Sequence, residues 1–110
     1  MILNVIVDDQ TYPVEVPDYV LSEGEEFFAK MDHDMDQGWQ MSREWVDKPN
    51  ATMRCQIAAD RMLTALENEN QHMAVMMAGY ILLRMPGVRS VRVGTAGDLF
   101  ETEFLAGPQS

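Results

Sequence analysis

Residues 23–36, Glu-Gly-Glu-Glu-Phe-Phe-Ala-Lys-Met-Asp-His-Asp-Met-Asp, hold six carboxylates against one lysine. Read as a helix, they place Glu23, Glu25 and Glu26 in the first turn, where the macrodipole favours negative charge. Asp32, Asp34 and Asp36 fall at the other end, where the dipole opposes them and aspartate is a poor helix former, at a cost of a few tenths of a kcal/mol each. Such a cluster calls for compensation. A basic protein surface drawn to the acidic face would supply it. A divalent cation held by Asp32, His33 and Asp36 is a weaker option, resting on the preference of hard metals for oxygen-rich sets. Counted from Asp32, Gly38 falls at the seventh place and Arg43 at the twelfth, whereas a calcium loop needs glycine at the sixth and glutamate at the twelfth. The plain alternative is a solvated helix face beside Phe27, Phe28, Met31 and Met35.

Trp39 and Trp45 flank a segment with Arg43, Glu44 and Lys48 interspersed. A tryptophan in such a segment either anchors a partner or seals the core beneath a loop. His72, Met73 and Met76 lie close together and present imidazole and thioether groups of the kind that hold Cu(I), but methionine is also a filler of irregular core gaps. Cys55 is the single cysteine, and as a nucleophile it would need His33 or His72 as base, the two imidazoles of the chain. It falls instead on an apolar stripe with Ala59 and Met62, which favours a buried thiol. Ser22, Ser42, Ser90 and Ser110 sit in no nucleophile elbow, and Gly94 and Gly97 bracket a turn rather than cradle a phosphate. Glu67 and Glu69 read as solvated charges in a helix break. No catalytic residue and no cofactor is assigned.

Eighteen acids against eight bases give a net charge of −10, which argues against nucleic-acid and anionic membrane partners. The first fifty residues hold twelve of the acids and three of the bases, so nearly all the excess lies there. The opening Met-Ile-Leu-Asn-Val-Ile-Val lacks the basic lead-in of a signal peptide, and a lone cysteine suits a reducing compartment, so a cytoplasmic location is expected.

The elements that must position these residues follow from periodicity. Residues 3–16 predict a hairpin turning at Asp9-Gln10, with Val7 opposite Tyr12, Val5 opposite Val14 and Leu3 opposite Val16, and Pro13 places the second strand at a sheet edge or beside a bulge. Ser22 with Glu25 has capping-box spacing and predicts a helix over 23–36. Asn50 caps a second helix along Cys55, Ala58, Ala59, Met62, Leu63 and Leu66. Asn68 with Gln71 restarts a third, central helix that Pro86-Gly87 stops. Residues 88–93 and 99–104 predict a second hairpin with Val91 facing Phe100 and charge pairs between Arg89, Arg92, Glu101 and Glu103 on its outer side. The expectation is an α+β domain over residues 1–105 of order ββαααββ, an antiparallel sheet of two hairpins, either separate or joined as four strands, packed on three helices, with 106–110 as a frayed tail. The expected function is that of a small, acidic, non-catalytic accessory protein. It would dock on a basic protein surface through Glu25, Glu26, Asp32, Asp34, Asp36, Trp39 and Trp45. A metal- or ligand-binding module at Asp32, His33 and Asp36 or at His72, Met73 and Met76 is the alternative, and a Cys55 enzyme ranks third. A homodimer through the sheet edge is a further option.

Overall fold

The computed structural model describes residues 1–96 and 98–106. The fold is α+β. Strands β1 (Ile2–Val7) and β2 (Gln10–Glu15) precede helices α1 (Asp18–Glu23) and α2 (Glu25–Met35). A small hairpin, β3 (Trp39–Met41) and β4 (Glu44–Val46), leads into α3 (Ala51–Glu67) and α4 (Gln71–Arg84), and β5 (Val88–Arg92) and β6 (Glu103–Ala106) close the chain. The main sheet has the order β2-β1-β5-β6, and β3-β4 forms a sheet of its own. Because β1 and β5 pair in parallel, with Val5 beside Val91, the sheet is mixed rather than antiparallel. The crossover between them contains all four helices rather than the three expected.

Alternation in β1 sends Leu3 and Val5 into the core, where they meet Val14, Val16 and Val91. The turn falls at Asp8-Asp9, with Asp8 in a left-handed conformation (φ 57°) that aspartate tolerates. Val7 therefore lies opposite Gln10 and Val5 opposite Tyr12, a slide of two residues from the expected register. An even slide keeps every side chain on its own face: Leu3, Val5, Val14 and Val16 are buried, but Val7 at the turn end is half-buried and Tyr12 on the edge strand is exposed rather than in the core. β2 is an edge strand, one of the two places Pro13 allows. Met1 and Val16 exchange both backbone hydrogen bonds, so the alternate position, Pro13, turns its donor-less nitrogen to the open edge and interrupts the row an edge-to-edge partner would need.

The acidic helix is two helices. The chain turns helical directly after Pro17, so Ser22 lies inside α1 and its hydroxyl donates to the Tyr19 carbonyl (3.4 Å) rather than capping residue 25. The helix breaks at Gly24 and resumes as α2. Asn50 caps α3 as predicted, accepting the Met53 N–H at 2.8 Å. Asn70, not Asn68, caps α4, accepting from Met73 at 3.2 Å, while the Asn68 side chain donates to the Thr64 carbonyl at the end of α3. α4 is the central helix: Ala74, Met77, Ala78, Tyr80 and Ile81 are buried. A Cβ at its Gly79 would stand 3.0 Å from Val20 and 3.1 Å from the Phe28 ring, so the missing side chain is what lets α1 and α2 press against α4.

The second hairpin also departs from expectation. Leu99–Glu101 forms a 3-10 turn begun by Asp98, whose carboxylate accepts the Phe100 N–H at 2.9 Å. Val91 accordingly faces Phe104 rather than Phe100. Of the expected charge pairs, Arg92 with Glu103 forms, at 2.9 Å, and Glu101 has left the ladder. Ala106 pairs with Val88 within β6 instead of fraying, and residues 107–110 of the expected tail lie outside the described residues. Among the described residues no helix is long and apolar enough to cross a membrane.

Candidate functional site

α2 carries the carboxylates singled out by the sequence, and its two faces treat them differently. On the inner face Asp32 is a hub. Its Oδ1 accepts the Tyr80 hydroxyl at 2.5 Å, and its Oδ2 meets Arg84 at 2.9 and 3.1 Å. Arg54 of α3 reaches the Asp32 carboxylate at 3.4 Å and its backbone carbonyl at 3.2 Å. The same guanidinium donates to Asp36 (2.5 Å) and to the Pro49 carbonyl (2.8 Å). Arg84 makes a two-pronged contact with Glu25, at 2.8 and 3.0 Å, and lies over the Tyr80 ring, 5.3 Å from its centre. Tyr80 and Arg84 stand one turn apart on α4, so they address Asp32 together.

The charges respond accordingly. Hydrogen bonding from Arg84 holds the Glu25 carboxyl below the usual carboxylate range, and Arg54 does the same to Asp36. Burial and the bond to Asp32 raise the Tyr80 phenol. Three carboxylates face two guanidiniums. The cleft of about 360 Å³ at Asp32, Pro49, Ala51, Arg54, Tyr80 and Arg84 therefore offers an incoming anion no unclaimed cation. The cluster fastens α2 to α3 and α4. At the residues of the metal reading, Asp32 and Asp36 are taken by arginine, His33 is exposed, and the described residues contain no group of three or more His, Cys, Asp or Glu placed to hold an ion.

On the outer face Glu26 and Asp34 are exposed and enter no ion pair among the described residues. Of the eighteen acids, Glu25, Asp32, Asp36 and Glu103 form ion pairs, with three of the eight bases. Among the described residues, fourteen acids and five bases therefore stand outside any ion pair, so folding leaves nearly the whole net charge in place.

The two tryptophans separate as well. Trp39 is half-buried against the core, whereas Trp45 is 56% exposed. Trp45 is nevertheless held on two sides. Its indole N–H donates to Asp47 at 3.1 Å, and its ring lies over Gly38, whose φ of 102° and missing side chain make the approach feasible. A Cβ there would fall 2.4 Å from the ring.

Cys55 is buried, and burial together with the Asp32 charge pushes its thiol up to about 12, far from a nucleophile's range. His72 is exposed at the start of α4, with Met73 and Met76 half-buried against the core and Met77 fully buried behind them. The sequence reading missed Arg54, Tyr80 and Arg84 as partners of the acids, and Gly38 and Asp47 as supports of Trp45. The one signal available was the four-residue spacing of Tyr80 and Arg84 in an otherwise uncharged helix. Compared with known proteins, the chain matches no family model, no curated protein and no solved structure.

Proposed function

We propose that this is a small acidic accessory protein that docks on a basic surface of another protein. Trp45 is the anchor, and Glu26, Asp34 and Glu44 belong to its charged surface. The observation that carries the reading is an exposed tryptophan whose ring is fixed before any partner arrives. Exposed aromatic anchors dominate binding energy at interfaces, and a side chain already immobilised loses little further entropy on association. The unneutralised carboxylates add long-range attraction for a cationic surface and disfavour phosphate backbones and anionic lipid. Glu25, Asp32 and Asp36, engaged by arginine, take no part in docking and serve to hold α2 in position.

The test is affinity capture at low salt with the immobilised chain. A basic protein should be retained and should elute as ionic strength rises through about 0.3 M. Trp45→Ala, and separately the pair Glu26→Lys and Asp34→Lys, should abolish retention while the chain remains folded, as circular dichroism at the capture temperature checks. Undiminished recovery with the Trp45 variant overturns the proposal.

A further inference from the structure

Leu63 and Leu66 belong to the apolar stripe of α3, yet the fold leaves both only half-buried. Between them and the β1–β2 hairpin lies a cleft of about 350 Å³ lined by Val7, Tyr12, Leu63, Leu66 and Glu67. Tyr12 on the edge strand is 45% exposed there. Asp60, Leu63 and Glu67 recur at helical intervals, so a carboxylate stands about one turn to either side of Leu63. Neither carboxylate has an ion-pair or hydrogen-bond partner among the described residues. The nearest base in sequence, Arg61, lines a different cleft with Thr64 and Asn68. Both acids are held at an electrostatic cost. Glu67 ends α3, where the dipole opposes an anion. Burial, then the charge of Glu67, raises the Asp60 carboxyl above its ordinary value. A cation at the rim relieves both.

We infer that this cleft docks a short segment of another protein that presents one large apolar side chain flanked by lysine or arginine. The apolar group fills the space between Leu63, Leu66, Val7 and Tyr12, and the flanking cations meet Asp60 and Glu67. Recognition is by side chains rather than by strand addition, because Pro13 breaks the donor row of the adjacent edge. The cleft shares no residue with the Trp45 surface, so the inference stands independently of the proposed function.

The probe is a blocked synthetic peptide with one leucine between paired lysines, titrated into the full methyl-labelled chain and followed by NMR. A matched peptide with glutamates in place of the lysines is the control. Saturable shifts confined to the methyls of Val7, Leu63 and Leu66 and to the Tyr12 ring, weakening at about 0.5 M salt, are the expected result. Glu67→Lys, a change that suits the end of a helix and leaves the fold intact, should weaken binding by about tenfold, and Asp60→Asn should weaken it less. Four results each overturn the inference: no saturable shift at the cleft, equal binding of the control, shifts scattered over the acidic surface, or the same shifts on concentrating the chain alone, which would assign the cleft to a second copy.

Discussion

On α2, Glu25, Asp32 and Asp36 turn toward α3 and α4 and meet Arg54, Tyr80 and Arg84, whereas Glu26 and Asp34, one or two residues away, face outward without an ionic partner among the described residues. The residue types are the same and the local spacing is nearly so. What separates the two sets is the position of two guanidiniums carried by other helices. A run of acids in a sequence reports charge but not its availability, and here three of the five predicted docking carboxylates are structural. The inner set bears on stability, and the outer set bears on what the molecule attracts.

The most damaging way to probe this contrast is Asp32→Ala. It strands the Tyr80 hydroxyl and parts of both guanidiniums in a partly buried cluster, for an expected loss of about 2–3 kcal/mol, or about 10–15 °C in Tm for a chain of this size. Glu26→Lys, on the other face, should stay within about 0.5 kcal/mol of the parent. Calorimetry on the two variants decides it, since equal midpoints would erase the distinction between the faces. Next in size is Gly38→Ala, where a Cβ meets the Trp45 ring at a φ of 102°. A loss of about 1–2 kcal/mol is expected, with a shift in tryptophan emission as the ring leaves its seat. Unchanged emission would mean that Trp45 is not held as described.

Much of the framework was legible in the sequence because it is local. Alternation placed Leu3, Val5 and Val14 inside, Asn50 capped α3, and the uncharged run from Met73 to Leu83 became the central helix. Errors arose where two local signals competed. Pro17 began a helix before the Ser22–Glu25 spacing could, and Asn70 displaced Asn68 as the cap. The parallel join of β1 to β5 has no local signature at all, since it depends on how four helices fold back across the sheet. The same holds for the inner cluster. Its hydrogen bonds span 22, 52 and 59 residues of sequence, and each arginine has an ordinary local role at its own position. Trp45 was singled out by type, but its seat needed a glycine in the hairpin's approach and strands of three residues, too short to show a period.

Acid titration sharpens the contrast further. The Glu25 and Asp36 carboxyls have folded-state pKa values below their ordinary ones. Their contribution to stability is therefore complete above the unfolded-state pKa, about 4, and is lost as pH falls through the lower folded values. Urea midpoints should fall between about pH 5 and pH 2 for the parent chain. In Arg84→Met the Glu25 share of that slope should vanish. An identical slope in the variant would show that Glu25 is not held by Arg84 in solution.

The smallest effect measures how far the inner cluster reaches into the core. Cys55 owes its raised pKa of about 12 first to burial and then to the negative charge of Asp32. At pH 7.5 its thiolate fraction is about three orders of magnitude below that of a free thiol, so alkylation of the native chain should be correspondingly slow. Asp32→Asn keeps a hydrogen-bonding side chain and removes the charge, which should lower the Cys55 pKa and move the whole pH–rate profile to lower pH. Local opening caused by a weakened cluster would instead raise the rate without moving the profile. A displaced profile ties the Cys55 thiol to the Asp32 carboxylate through space, and an undisplaced one leaves burial as the whole cause of its inertness.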